Sequence, residues 1–491
     1  MRRLALCLLL LAPAVPVATA QAQTAQAQTA QAQTAGSDID SVRRSLGDAL
    51  SFATFGAVNG LAPDAQVSPE GDAYRIHLPV TGLIAPSDPA VTALARPTGD
   101  GAWDVQSLTF PSHATIESNG PASGPGGGKV TYTIGRQDIT AHIVPDMKQP
   151  TTYAARLEDI HLQSEAGGQR ARQTLAHYAV KGSITADGDG RVGLISTGEA
   201  TGWAVSIDHD KEPPIDFRTK RVSVDVSVQG LDKAKGERLR AGLHTLLADL
   251  PKPGADSLPA IKDPRGSLRA LLDDATGLLN RFEVNETLEG VTLSDQHLQG
   301  GAGTVIIGLH GDTANQDVDA GMDLAINDVV VPAALSGPYA AYVPKHISLR
   351  NRIHGLPSDQ VVALLRAALA ENADPMALQA QALRLLRTPG ASVSVDPFNI
   401  DAGPLALTGT AHLLPSENGG FAGHIHIVAS GMDALISQAQ GNQAFGHVMP
   451  MLYMAKGMGK ADGKTIVWDI DLDERGVRIN GTPFGHPPPK R

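Results

Sequence analysis

The sequence predicts an α+β protein that is mainly β: a long antiparallel meander or curved sheet with helices packed against it. Three observations carry that reading. Segments with an apolar residue at every second position recur along most of the chain. The clearest is Arg221-Val222-Ser223-Val224-Asp225-Val226-Ser227-Val228, valine on one face and polar residues on the other. The 52 glycines and 33 prolines supply the turns that such a meander needs. Stretches with the 3.6-residue period are few and fall between groups of strands.

The chain opens with a segment that reads as a secretory signal over residues 1–20. Arg2 and Arg3 form its basic start, Leu4 to Leu11 its apolar stretch, and Ala18-Thr19-Ala20 its cleavage site. That stretch is shorter than the roughly 20 apolar residues a membrane span requires. No comparable run follows, so no transmembrane anchor is expected in the mature form. The single cysteine, Cys7, lies inside the signal and is followed by Leu8 to Leu11, the wrong place for a lipidation site. The expectation is therefore an exported, unlipidated, periplasmic protein whose mature chain has no thiol for disulfides, thiolate catalysis or metal binding. Residues 21–36 hold three copies of Gln-Ala-Gln-Thr-Ala, which cannot bury a core and read as a flexible linker.

Ser37–Phe55 then has a helical pattern, capped by Ser37, with Ile39, Val42, Leu46 and Leu50 on one face. From Ala73 the period becomes two: Tyr74–Leu78, Trp103–Phe110, Ala114–Glu117, Val130–Ile134, Ile139–Val144, Ala154–Leu162 and Val192–Ile207 all alternate. Helices are expected over Asp232–Leu250, stopped by Pro251 and Pro253, and over Gly266–Phe282. This pair marks the expected boundary between an N-terminal β-rich half, residues 37–255, and a C-terminal β-rich half with helices, residues 256–491. The second half restarts in strands at Val291–Leu293, Thr304–His310, Val318–Val331 and His346–Arg352. Helices follow from Ser358 and over Met376–Leu386, and strands return at Ala391. Gly403–Leu414 and Phe421–Ser430 read as a hairpin closed by Ser416–Gly420. Met432–Lys456 reads as helix, and Lys464–Asp473 with Gly476–Thr482 as a last strand pair. Both halves run strands then helices, an order that suggests two similar halves.

Composition narrows function by exclusion. Lys and Arg number 40 against 51 Asp and Glu, a net charge of −11 that falls to −13 once Arg2 and Arg3 leave with the signal. That balance argues against nucleic acid and anionic membrane surfaces as partners. Gly193-Leu194-Ile195-Ser196-Thr197-Gly198 has one residue too many for a nucleophile elbow and lies within a strand pattern. Gly457–Thr465 ends in Gly463-Lys464-Thr465, yet its spacing and its helix-to-strand order are wrong for a phosphate loop. Asp208, His209 and Asp210 cluster at a strand end and read as loop surface. No catalytic residue and no cofactor is assigned. The metal-ligating candidates are His412, His424 and His426: the last two share a strand face at i, i+2, and a hairpin places His412 beside them.

The C-terminal run Gly457-Met458-Gly459-Lys460-Ala461-Asp462-Gly463, the strand Ile466–Asp473 and Glu474-Arg475-Gly476-Val477-Arg478-Ile479-Asn480-Gly481-Thr482-Pro483-Phe484 resembles the ending of domain-of-unknown-function family 2125. It is also similar to family 945. The resemblance implies a β-rich, secreted Gram-negative envelope protein and brings no catalytic residues with it. Two functions remain from different classes. One is a binding or scaffold protein whose apolar sheet face takes a lipid or an envelope protein. The other is a metal-assisted hydrolase built on His412, His424 and His426. The first is favoured, because the apolar-faced strands are long and no catalytic motif accompanies them.

Overall fold

The computed structural model describes residues 66–79, 90–98, 101–118, 128–144, 149–166, 169–209, 212–236, 238–239, 242, 264–295, 298–314, 317–370, 373–416, 421–441, 448–474 and 476–484. The signal segment, the linker, the helix expected over Ser37–Phe55 and turn residues 417–420 lie outside the described residues. So does most of the helix expected over Asp232–Leu250, of which residues 233–236, 238–239 and 242 are helical. The fold is mainly β with helices, and the strands pair antiparallel throughout. The chain forms two compact units, one ending at Asn280 and the other starting at Arg281.

The first unit begins with short strands β1 (Gln66–Glu70), β2 (Ala73–Pro79), β3 (Ala90–Pro97) and β4 (Trp103–Thr109) in a meander. Their alternation buries Ile76, Val91, Ala93, Val105 and Leu108 on one face around Trp103. β5 (His113–Ser118), β6 (Gly128–Thr133) and β7 (Gln137–Val144) lead into four much longer strands: β8 (Gln149–Ala166), β9 (Gln169–Gly188), β10 (Arg191–His209) and β11 (Glu212–Asp232). β4 continues onto β7, and β7 and β6 share one edge of β8 end to end. Where that edge changes partner, Asp159 adopts a left-handed φ of 54°. On β10, Gly202 has φ 65°, and there the buried parity switches from Val192, Leu194 and Ser196 to Trp203. The valine pattern behaves as predicted: Val222, Val224 and Val226 are buried, Arg221 and Asp225 exposed.

Helix α1 (Pro264–Ala275) was expected to open the second half and instead belongs to the first unit. Its Asp274 pairs with Arg238 at 2.8 Å, and Leu278 and Leu279 just beyond it pack on Ile184, Val192, Leu194 and Leu231. It also ends earlier than predicted, at Ala275, because Gly277 turns left-handed and Phe282 joins the next strand.

The second unit is one continuous meander: β12 (Arg281–Ser294), β13 (Gln299–Asp312), β14 (Asp317–Asn327), β15 (His346–Pro357), β16 (Ser392–Ala402), β17 (Leu405–Pro415) and β18 (Phe421–Ser430), each paired with the next. Helices fill the longer connections: α2 (Ala333–Ser336) with a 3-10 turn after β14, then α3 (Ser358–Ala368) and α4 (Pro375–Leu386) after β15. The helix expected over Met432–Lys456 is two helices, α5 (Met432–Gln440) and α6 (Met449–Met458). Gly441 caps the first, and Pro450 sits in the first turn of the second, where a missing N–H costs nothing. β19 (Lys460–Asp462) then turns through Gly463 into β20 (Thr465–Asp473), which docks on β18. β21 (Gly476–Ile479) and β22 (Thr482–Phe484) close the unit across Asn480 and Gly481, with φ 49° and 78°, the two positive angles of a tight hairpin turn.

Candidate functional site

The register of the second unit sorts its side chains into two faces. On one face a row runs across nine strands: Glu283, His310, Gly321, Arg352, Ser394, His412, His424, Asp471 and Arg478, each the Cα partner of the next. Opposite residues on paired strands hold their side chains close enough to interact, so this row is a ladder of polar and charged groups. Its middle is drawn tight by Gly321, where a Cβ would come within 2.6 Å of both the His310 ring and the Arg352 chain. Arg352 donates twice to Asp323, at 2.7 and 3.1 Å, and Arg350 stands 3.5 Å away. Burial alone would raise the Asp323 carboxyl; the Arg352 hydrogen bond and the two guanidinium charges overcome it and hold the carboxyl below its ordinary value. Burial first, then the Arg352 charge, hold His310 below the ordinary imidazole value, with Asp323 and Glu283 pulling the other way.

The predicted histidines lie farther along this ladder. His424 and His426 do share a strand face, their rings stacked with centroids 6.5 Å apart. His412 is directly opposite His424 across β17 and β18. The third group that converges with the pair, however, comes from β20. One ligand atom each from His424, His426 and Asp469 lie within 4.8 Å of one another. His426 Nδ1 is 2.7 Å from Asp469 Oδ1, and His424 Nε2 is 3.7 Å from the same oxygen. His424 Nδ1 is engaged by Asp471 Oδ1 at 3.0 Å. Asp469 is held in place through its backbone: its N–H donates to Asn480 Oδ1 at 3.0 Å and its carbonyl accepts from Asn480 N at 2.7 Å. Sequence reasoning missed both aspartates. The signal was present in Trp468-Asp469-Ile470-Asp471-Leu472, whose alternation puts the two carboxylates on one face. What the sequence did not reveal is that β20 returns beside β18, after two helices.

The other face is aliphatic. Cross-strand rows such as Leu288, Val305, Ile326, Ile347, Ile400 and Leu407 run perpendicular to the strands. At the β18–β20 end, α5 and α6 cover it. Ala429, Met432, Ile466 and Trp468 are buried there, half-buried Leu452, Ala455 and Met458 pack on them, and the Trp468 indole donates to the Ala455 carbonyl at 2.8 Å. Over β12–β16 the face is open. Among its described side chains only Ala402 is fully buried, while Val284, Ile307, Leu324, Leu349, Val393 and Phe398 are half-buried and Leu309 and Ile353 are exposed. Glu286 lies in this face opposite Ile307, and burial pushes its carboxyl above the ordinary value.

The remaining motif candidates are accounted for by the fold. Ser196 is buried inside β10, where its hydroxyl accepts from Tyr153 and donates to the Lys181 carbonyl. Asp208 pairs with Arg172 at 3.6 Å at the end of β10, and Asp210 lies outside the described residues. Gly457 to Gly463 links α6 to the β19–β20 turn. Among the described residues no helix is long and apolar enough to cross a membrane. No family model matches the chain, and neither a curated protein nor a solved structure matches it significantly.

Proposed function

We propose that this is an envelope binding protein whose ligand is a lipid acyl chain laid across the open aliphatic face of β12–β16. The observation that carries the reading is how little of that face is fully buried: among its described side chains, Ala402 alone. A sheet face rich in Val, Ile and Leu normally gains its stability by being covered, at about 25 cal/mol per Å² of apolar surface removed from water. Here five neighbouring strands leave theirs half open. With strands about 4.8 Å apart, the open rows span roughly 19 Å, comparable to an extended acyl chain. The chemistry favours lipid over a protein partner. Protein-binding hot spots concentrate in Trp, Tyr and Arg, whereas the face described above is aliphatic with Phe282 and Phe398 as its aromatics. The signal-like segment Arg2 to Ala20 supports this reading, since an exported protein would meet envelope lipids.

The test is binding of a fluorescent fatty acid to the purified chain, compared between Ile307→Asp and Ile306→Asp. Neighbouring residues on β13 point to opposite faces, so Ile307→Asp should abolish binding while Ile306→Asp leaves it within about twofold. Organic extraction of protein purified from its native envelope should yield lipid near one equivalent. Absence of fatty-acid binding, or equal loss in both variants, would sink the reading. A dimer broken by Ile307→Asp in the absence of lipid would show that a second copy covers the face instead.

A further inference from the structure

We infer that His424, His426 and Asp469 form a binding site for a divalent first-row transition ion, on the face of the second unit opposite the aliphatic one. Three features of the geometry support it. First, the donor set is two imidazoles and one carboxylate, each offering an atom within 4.8 Å of the others. An ion at 2.0–2.2 Å from such ligands in tetrahedral geometry sets them about 3.3 Å apart. The two spacings to Asp469, 2.7 Å from His426 and 3.7 Å from His424, bracket that value. Second, His424 is already oriented. Its Nδ1 is bound to the Asp471 carboxylate, which leaves Nε2 turned toward Asp469, the arrangement in which an outer carboxylate fixes the tautomer of a metal-bound histidine. Third, the frame is stiff. The histidines sit two apart on β18, and Asp469 is pinned on β20 by paired backbone bonds to Asn480, so the ligands do not have to be gathered from loops.

The alternative is a pair of ordinary cross-strand histidine–aspartate contacts. That accounts for His426 with Asp469 and His424 with Asp471 taken singly, but not for His424 Nε2 also facing Asp469. The ion has three protein ligands and an open side, because His424, His426 and Asp469 keep 51, 41 and 44% of their side-chain surface exposed. Borderline imidazole donors with one hard oxygen suit zinc, nickel or copper rather than calcium or magnesium. His412, although it stands opposite His424, is outside the converging group and is assigned no ligand role.

Zinc titrated into untagged, metal-free protein, followed by calorimetry and by melting temperature, is the test. The expected result is saturable binding of one zinc per chain and a melting point that rises with zinc, since an ion that binds the native state stabilises it. His426→Gln and Asp469→Asn should each remove the zinc-dependent rise. Asp471→Asn should weaken binding by about tenfold while retaining it, the usual cost of losing an outer-shell carboxylate. His412→Gln should change affinity by less than about twofold. Circular dichroism of the metal-free variants, unchanged from the parent, separates lost binding from lost folding. Absence of saturable zinc binding, or a zinc response that survives the double change of His424 and His426 to Gln, overturns the assignment. Equal loss in Asp469→Asn and His412→Gln would move the site to the β17–β18 hairpin.

Discussion

At the scale of single residues, the second unit places charged groups where each one's surroundings decide its behaviour. Glu286 is the charged exception to its face: a carboxylate among Val, Ile and Leu, with its pKa raised by burial. A raised carboxyl binds its proton more readily when folded than unfolded. Stability therefore falls as pH rises from the unfolded value through the folded one, and at neutral pH the buried charge is a net cost. Glu286→Gln keeps the shape and removes that charge. It should raise the melting temperature at neutral pH, and the gain should shrink in acid, where Glu286 itself becomes neutral. Paired melting curves across the acid range decide the point; equal melting temperatures at neutral pH would mean that water reaches the carboxylate after all. Asp469 shows the limit of reading residues from sequence. Its partner His426 was singled out from its i, i+2 spacing with His424, a strictly local signal. The carboxylate that completes the group lies on another strand, and its approach depends on where the chain returns.

At the scale of elements, Trp468 joins β20 to α6 through both packing and a hydrogen bond. It is 9% exposed, packs with Ile466 and Met432, and donates to the Ala455 carbonyl at 2.8 Å. Trp468→Ala should cost about 3–5 kcal/mol, the range for deleting a large core aromatic. Trp468→Phe, which retains most of the bulk and loses one hydrogen bond while the Ala455 carbonyl still accepts from the Gly459 N–H, should cost about 1 kcal/mol. Chemical denaturation measures both, and a similar cost for the two would assign the loss to the hydrogen bond alone. The element pattern itself was legible where one face is buried and the other wet. Val222, Val224 and Val226 announce β11 because each inward position is a valine. β9 was not anticipated, although it is 20 residues long, because its inward positions include Gly182 and its sequence is rich in Gln, Arg and Thr. It is a strand because β8 and β10 pair along both its edges, a tertiary effect that outweighs local propensity. For Met432–Lys456 the cause is local instead: a continuous apolar pattern conceals a break that Gly441 and Pro450 impose.

At the scale of the whole molecule, the acidic chain should lose stability as pH falls, and the Arg352 cluster is a defined part of that loss. Asp323 has a lowered carboxyl pKa, so the stability it contributes is present above its unfolded value and disappears as pH falls through the folded one. His310 is also lowered, so it too takes up protons more readily when unfolded, and its contribution is lost as pH falls below the unfolded imidazole value. Both therefore weaken the fold in acid, in successive windows: His310 first, Asp323 lower down. Glu286 works in the opposite direction and softens the lower window. Arg352 acts on both groups, donating to Asp323 and setting its charge near His310 across Gly321. Arg352→Gln should reduce stability at neutral pH by about 1 kcal/mol, a modest figure because Asp323 keeps 39% of its side-chain surface in water, where screening applies. The gap between parent and variant should then narrow as pH falls through the range where Asp323 takes up its proton, and it should narrow further at high salt. Melting temperatures of the two proteins, measured from neutral pH downward at two salt concentrations, follow the gap directly. A gap that stays constant across the whole range would show that Arg352 acts by packing its alkyl chain over Gly321, and that its charge contributes nothing to the pH dependence of the fold.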